Sequence, residues 1–157
     1  MVKTGIGHDS HPFEAHMHKK LVLGGVSISG CPGLQGNSDG DVVLHAITNA
    51  VSGITGVNVL GEMADTLCLK RGVTDSTAYL KKALEYCGGF SVNHVSVSIE
   101  ARIPKLQPHI AAMKESIAAI LGLASPDIGI TATTGEGMSS FGRGEGILAM
   151  AIVTAHD

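Results

Sequence analysis

The sequence predicts an α+β fold, with one mixed β-sheet and helices packed on one face in a two-layer sandwich. Residues 95–101 alternate apolar and polar side chains, as a half-buried strand does. Two apolar-periodic segments begin at capping residues and indicate helices, and a third such segment follows the alternating strand. The chain has 157 residues, and one domain typically takes about 100–200. We therefore expect a single domain over residues 1–157.

The first half of the chain is predicted to contain two strands and one helix. Residues 6–11 are expected to form the end of one strand. Residues 21–28 are expected to form a second strand with a bulge or tight bend at Gly24-Gly25. Ser38-Asp39-Gly40-Asp41 supplies capping residues for a helix that ends near Gly56. Residues 57–74 show no periodicity, so we expect a loop there.

The second half is predicted to alternate helices and strands. A helix begins at the cap Asp75-Ser76, keeps apolar residues on one face through Cys87 and stops at Gly88-Gly89. Three further elements follow strand 95–101: a helix over residues 108–121, a strand over 128–132 and a last strand over 147–154.

Composition excludes several classes of function. Aromatic residues form only 3% of the chain, which leaves no platform for stacking single-stranded nucleic acid. The 11 basic and 14 acidic residues include no basic run, which argues against binding duplex DNA by counterion release. No segment approaches the roughly 18 apolar residues of a membrane span, and we recognise no targeting pattern. Neither nucleic acid nor membrane is expected as a partner.

The three cysteines, Cys31, Cys68 and Cys87, lack the spacing of a disulfide framework or a thiolate zinc site. An odd number of cysteines without such spacing fits a reducing compartment. The predicted location is the cytoplasm.

Asp9 and His11 are the first candidate functional residues. If residues 6–11 end a strand, side chains two positions apart project from the same face. A carboxylate and an imidazole then lie side by side. A solvated strand end is the alternative interpretation.

His45 is a candidate third ligand. The first helix has an apolar stripe and, separately, a polar stripe at helical spacing, composed of Asp41, His45, Thr48, Asn49 and Ser52. A polar stripe is typical of a solvated face, which is the alternative here. Because this helix follows a Gly/Asp loop, His45 is also well placed to meet Asp9 and His11. Two imidazoles and one carboxylate would leave zinc one open position, as in catalytic sites.

Residues 131–146 form a glycine-rich segment with interspersed hydroxyls. Backbone amides in such a segment can approach phosphate oxygens, although a long hairpin connection explains it equally well. Glu136 could help to hold Mg²⁺, which binds through one or two carboxylates plus substrate phosphates. Lys105, after strand 95–101, could touch phosphate or be an ordinary surface lysine.

Four segments, taken in order, resemble the 2-C-methyl-D-erythritol 2,4-cyclodiphosphate synthase family. The Ser-Asp-Gly-Asp segment followed by His45 and the Gly-Arg-Gly-Glu-Gly segment are the most specific. The segments are Gly7–His11, Ser38–His45, Pro104–His109 and the run from Ala132 to Gly146.

The resemblance implies a homotrimer with active sites between adjacent subunits, in the cytoplasm or a plastid. It implies the reaction in which the 2-phosphate of 4-diphosphocytidyl-2-C-methyl-D-erythritol 2-phosphate displaces CMP and closes a cyclic diphosphate, a step of non-mevalonate isoprenoid synthesis. It also implies one zinc per chain on Asp9, His11 and His45, and a second ion, Mg²⁺ or Mn²⁺, reached by Glu136 through the substrate. No protein nucleophile is required, because metals and amides orient the two phosphates.

The resemblance further assigns roles to individual residues. Thr134 would support developing charge, and Asn37 stands where the family usually has His, so its phosphate contact becomes an uncharged amide. Residues 58–66 also depart from the family pattern, apart from Asp65. Arg143 and Glu145 lie at the start of the last predicted strand, where alternation would place both on one face, toward the three-fold axis of a trimer. The resemblance implies a central cavity that takes an isoprenoid diphosphate, whose head group these two residues would bind. An ordinary loop arginine is the alternative interpretation of Arg143. The implied substrate contacts are Asp9, His11, Asn37, Ser38, Asp65, Ala101, Lys105, Leu106, Thr133, Thr134, Gly135 and Glu136.

Two other classes of function share some of these features. A zinc phosphohydrolase would use the same triad to activate water. A non-catalytic trimeric nucleotide-sensing module would share the fold and the glycine-rich segment, but it has no use for Asp9, His11 and His45 together.

Overall fold

The computed structural model describes residues 1–157 as six strands and four α-helices with short helical turns between them. In chain order the strands and α-helices are β1 Val2–Pro12, β2 Lys20–Leu23, β3 Val26–Pro32, α1 Val42–Thr55, α2 Glu62–Asp65, α3 Ser76–Leu84, β4 Ser91–Glu100, α4 Ile110–Leu121, β5 Ile128–Thr133 and β6 Gly146–His156. None of the helices combines the length and the apolar character needed to cross a membrane.

Four strands form a mixed sheet in the order β1-β6-β4-β5, which confirms the α+β class. β4 and β5 are parallel, and the other neighbours are antiparallel. Helix α1 packs across β1, β6 and β4. In β6, Ala149, Ala151 and Val153 are buried toward the helices, whereas Met150 and Ile152 point the other way and are exposed. Within this chain, therefore, helices cover one face of the sheet, and the other face is exposed.

The segment 21–28 differs from the single bent strand predicted for it. It is a hairpin, β2–β3, that forms its own two-stranded sheet apart from the main one. The turn is made by Gly24 and Gly25, whose φ angles of 58° and 77° both lie in the left-handed region. Two successive residues of this kind reverse the chain, so the glycine pair ends one strand and starts the next.

Asp41 joins this hairpin to α1. It is the N-cap of the helix, and its carboxylate accepts hydrogen bonds from the amides of Val43 and Leu44 at 3.1 and 3.0 Å. It also accepts from the amides of Gly24 and Gly25 at 2.8 and 2.7 Å. Burial raises the pKa of Asp41 to about 6, although these amide donors act to lower it. The predicted capping residue thus also fixes the hairpin against the helix.

The strand β1 approaches α1 unusually closely. A methyl group at Gly5 would lie 2.0 Å from the carbonyl oxygen of Ala50, and one at Gly7 would lie 2.2 Å from that of Ala46. Only glycine leaves room for this backbone contact. As a result, the end of β1 is held directly beside the first turns of α1.

The interval 57–74 is not the simple loop that was predicted. It contains the short helix α2 and a π-helical segment, Thr66–Lys70. Neither begins with a side-chain cap, and both are too short to show a periodic pattern. Half-buried Leu60, Met63 and Leu67 pack against the core instead, so tertiary contacts define this segment.

The other predicted elements are present with small boundary shifts. α1 ends at Thr55 with Gly56 as its C-cap, and α4 ends before Gly122. α3 has Asp75 as its N-cap but ends at Leu84, three residues before Cys87.

Candidate metal centre and active-site cavity

Asp9 and His11 lie near the end of β1, on the strand face that carries Gly5 and Gly7 and meets α1. Nε2 of His11 lies 3.3 Å from Oδ2 of Asp9. Both residues are only partly buried. The predicted side-by-side placement of carboxylate and imidazole is therefore present.

His45 joins them from the first turn of α1. Its Nδ1 lies 3.1 Å from Oδ2 of Asp9, and one ligand atom from each of the three residues lies within 4.8 Å of the others. The close approach of β1 to α1 produces this convergence, because it brings residues far apart in sequence to one point. The structure confirms that the three predicted residues form one cluster.

The polar stripe of α1 is not a solvated face, so that alternative interpretation is wrong. His45 and Ser52 are 8% and 9% exposed, and Asp41 and Thr48 are fully buried. Thr48 donates a hydrogen bond to the carbonyl of Leu44. Four of the five residues of the stripe are therefore buried in the protein, and the fifth, Asn49, is half-buried.

The two histidines change the acidity of Asp9. Burial by itself would raise the pKa of Asp9, but hydrogen bonds and charge interactions with His11 and His45 outweigh burial and lower the pKa to about 2. Asp9 is therefore a carboxylate at neutral pH.

The cluster opens into a cavity of about 350 Å³. Three residues that the family resemblance placed at the substrate, Asn37, Ser38 and Asp65, line the same cavity as the cluster. Asn37 is exposed, and its carbonyl accepts a hydrogen bond of 3.0 Å from the thiol of Cys68. Sequence reasoning had no signal for Cys68, because it lies in the irregular segment 57–74.

Two more lining residues were missed. Tyr79 packs its ring edge-on against His45, with 6.0 Å between centroids. No local sequence pattern marks Tyr79 as a site residue. Asn49 also lines the cavity and donates to the carbonyl of His8 at 3.1 Å. It belonged to the polar stripe but carried no individual signal.

The remaining predicted substrate residues, apart from Gly135, line other cavities of this chain. A cavity of about 350 Å³ includes Ala101, Lys105, Leu106, Thr133 and Thr134. Their loops meet because β4 and β5 are parallel, so the carboxyl ends of the two strands lie at the same edge of the sheet. None of these residues lines the cavity of the metal cluster.

Glu136 lines a further cavity together with Thr134 and Arg102. Its φ of 51° is in the left-handed region, which is uncommon for a residue other than glycine. The adjoining Gly135 packs against the side chain of Glu100, which accepts a hydrogen bond from Ser139. The glycine-rich loop therefore holds Glu136 exposed in a conformation that the flanking contacts impose.

Arg143 and Glu145 lie in the turn before β6, not in the strand whose alternation was used to place them on one face. They lie together for another reason: Nε of Arg143 donates to Oε1 of Glu145 at 2.9 Å, and Nη2 donates to Oγ of Ser140 at 3.0 Å. The hydrogen bond from Arg143 lowers the pKa of Glu145. Glu145 also lines a small cavity with Ser10 and His11.

Comparisons with known proteins agree with this arrangement. The YgbB family matches residues 2–156. A 2-C-methyl-D-erythritol 2,4-cyclodiphosphate synthase of Chlamydia caviae is 44% identical over 97% of this chain and 88% of its own length. The synthase of Chlamydia trachomatis serovar L2b is 41% identical over 97% of this chain and 86% of its own length.

Two solved structures share the fold. A synthase in a CDP-bound form superposes with a TM-score of 0.86 and 30% identity, over 98% of this chain and all of that one. The bifunctional IspDF of Campylobacter jejuni superposes with a TM-score of 0.89 and 33% identity over 99% of this chain, which spans 42% of that protein. The chain therefore belongs to the YgbB family of 2-C-methyl-D-erythritol 2,4-cyclodiphosphate synthases.

Proposed function

We propose that this chain performs the cyclisation of its family in the cavity around Asp9, His11 and His45, with one zinc ion held by these three side chains. The reaction converts 4-diphosphocytidyl-2-C-methyl-D-erythritol 2-phosphate to 2-C-methyl-D-erythritol 2,4-cyclodiphosphate and CMP. The observation that carries the proposal is the convergence of one carboxylate and two imidazoles on a cavity whose walls include Asn37, Ser38 and Asp65.

The donor set suits zinc. Nitrogen and carboxylate oxygen are common zinc ligands, and three protein ligands with an open position are typical of catalytic sites. Asp9 offers an anionic oxygen, since its pKa is about 2. Zinc at this position would supply Lewis-acid polarisation of a phosphoryl oxygen. Structural zinc sites, by contrast, have four protein ligands and no position open to substrate.

The chain itself binds and orients the substrate. In the reaction, an oxygen of the 2-phosphate forms a bond to the β-phosphorus, and the bond from the β-phosphorus to the CMP oxygen breaks. Asn37 and Ser38 can donate hydrogen bonds to a phosphate from the cavity wall, and Asp65 can accept them from erythritol hydroxyls. Orientation of this kind is the main contribution that a protein makes to phosphoryl transfer.

We propose that the second half of the site comes from another copy of the chain. Of the residues expected around the cytidine diphosphate, Ala101, Lys105, Leu106, Thr133 and Thr134 line one cavity and Glu136 lines another, and both cavities are apart from the zinc ligands. Gly135 lies between Thr134 and Glu136 in the chain, and Glu136 would hold Mg²⁺ or Mn²⁺ at the diphosphate. Thr134 supports the charge that develops on the phosphates. In a homotrimer of two-layer sandwiches, each interface would bring the zinc ligands of one chain beside the cytidine residues of the next. One substrate molecule would then contact both half-sites. The CDP-bound relative supports a cytidine diphosphate subsite.

The trimer would also cover the open face of the sheet. Ile6, Met150 and Ile152 are 65%, 45% and 46% exposed on this face, and apolar groups are unfavourable in water. Arg143 and Glu145 are expected near the three-fold axis, where they bind the head group of an isoprenoid diphosphate. All three cysteines are free, which supports a cytoplasmic location.

The test is phosphorus NMR of the purified protein with the diphosphocytidyl substrate, in parallel with metal analysis. Wild type should form a cyclic diphosphate and CMP and hold about one zinc per chain. His45→Ala leaves two ligands, fewer than the three usual in catalytic sites, so both zinc content and product should fall well below wild type. Full zinc occupancy in His45→Ala would contradict the metal assignment. Release of inorganic phosphate without the cyclic product would indicate a phosphohydrolase instead.

A further inference from the structure

Ser76 makes contacts that its own helix does not require. It is fully buried as the first residue of α3. The capping bond of α3 is made by Asp75, which accepts from the amide of Thr77 at 2.8 Å. The hydroxyl of Ser76 instead lies 2.8 Å from Nε2 of His45 and also contacts Oδ1 of Asp39. A buried hydroxyl is thus placed between a candidate zinc ligand and a carboxylate.

Asp39 determines the direction of the hydrogen bonds. Its carboxylate accepts from the amide of Asp41 at 3.1 Å and from the amide of Ser76 at 3.1 Å. An ionised carboxylate can only accept, so the hydroxyl of Ser76 must donate its single proton to Asp39. The oxygen of Ser76 is then left as an acceptor toward His45, and Nε2 of His45 has to carry a proton.

This direction determines which nitrogen of His45 is available. With the proton on Nε2, the neutral imidazole has its lone pair on Nδ1. Nδ1 is the nitrogen that lies 3.1 Å from Oδ2 of Asp9, and it donates to this carboxylate only when the imidazole carries both protons. Two lone pairs that face each other at this distance are complementary to a cation between them.

We propose that Ser76, oriented by Asp39, is a positioning residue that fixes His45 in the tautomer with the proton on Nε2 and so presents Nδ1 to the metal. The inference rests on the proposed zinc site. Hydrogen bonds of this kind orient histidine ligands and raise their basicity in metal sites generally. The edge-on ring of Tyr79 adds a second restraint on the imidazole, since its centroid lies 6.0 Å from that of His45.

The test compares Ser76→Ala with Ser52→Ala in zinc affinity, measured by competition with a chromophoric chelator at one pH. Ser52 is a matched control because it is also a buried serine, and its hydroxyl accepts a hydrogen bond from the backbone amide of Val59 at 3.4 Å instead of contacting His45. Loss of an outer-shell partner typically weakens metal binding about 10- to 100-fold. We expect that loss in Ser76→Ala and less than about a threefold change in Ser52→Ala.

Zinc-loaded wild type with ¹⁵N-labelled histidine provides a second readout, which does not depend on the variant being folded. We expect zinc on Nδ1 of His45 and a proton on Nε2 that exchanges slowly with solvent. In Ser76→Ala the same proton should exchange faster. Zinc bound through Nε2 in wild type, or unchanged zinc affinity in a folded Ser76→Ala, would overturn the inference. A wild type that binds no zinc at Asp9, His11 and His45 would instead refute the proposed function.

Discussion

Replacement of Gly7 by alanine tests whether the contact between β1 and α1 builds the metal centre. The added methyl group would lie 2.2 Å from the carbonyl oxygen of Ala46 and 2.4 Å from the amide nitrogen of Ala50. Ordinary contact begins at 3.4 Å, so the strand must move about 1.2 Å away from the helix. The obstructing atoms are backbone and cannot rotate aside. Overpacking of this kind typically costs about 1–3 kcal/mol of stability.

The same movement changes the metal cluster. Asp9 and His11 move with β1, whereas His45 stays with α1, so the separation of 3.1 Å between Nδ1 of His45 and Oδ2 of Asp9 would grow by up to the displacement of the strand. Metal–ligand distances tolerate only about 0.2 Å of deviation. We therefore expect zinc affinity in Gly7→Ala to fall about 10- to 100-fold, the loss typical when groups that orient metal ligands are disturbed.

Gly53→Ala is the matched control. Gly53 lies in α1 near the same strand, but a methyl group there would approach nothing closer than the Cα of Gly5 at 3.7 Å. Glycine in a helix is less favourable than alanine by up to about 1 kcal/mol, so this variant should be as stable as wild type or more stable. Urea denaturation and chelator competition measure the two properties. If Gly7→Ala kept the stability and zinc affinity of wild type, or if Gly53→Ala lost as much, the steric argument would be refuted.

Three further predictions concern charge and ligand binding. The pKa of Asp9 falls from 3.8 unfolded to about 2 folded, so the metal-free protein should lose up to about 2 kcal/mol of stability as pH falls from about 4 to about 2. Acid unfolding of Asp9→Asn, followed by circular dichroism, should lack that part of the loss, and an identical pH profile would contradict the assignment. Asn37→His introduces into the cavity a donor that can carry charge, and because charge-assisted bonds are roughly twice as strong as neutral ones, steady-state kinetics should show a lower KM or a modestly higher kcat; a higher KM together with a lower kcat would show that the pocket is built around asparagine. Farnesyl diphosphate should raise the melting temperature of wild type by mass action but not that of Arg143→Ala with zinc retained, and equal shifts would identify Arg143 as an ordinary loop arginine.

Local chemistry made much of the fold predictable. Alternation identified β4, capping by Asp41 and Asp75 placed the starts of α1 and α3, and Gly56 and Gly122 placed two helix ends, because these signals act within a few residues. The segment 57–74 escaped prediction because its short helical turns depend on packing against the core.

The sequence by itself indicated the three candidate metal ligands and the family. Asp9 and His11 share a strand face through the two-residue period, and His45 follows a recognisable capping segment. Tertiary structure alone decided how these groups are connected. Three features join residues distant in sequence: the burial of most of the polar stripe, the hydrogen bonds that connect His45, Ser76 and Asp39, and the meeting of the 101–106 and 133–136 loops at one sheet edge. No local pattern encodes such contacts, since they depend on how far one backbone can approach another.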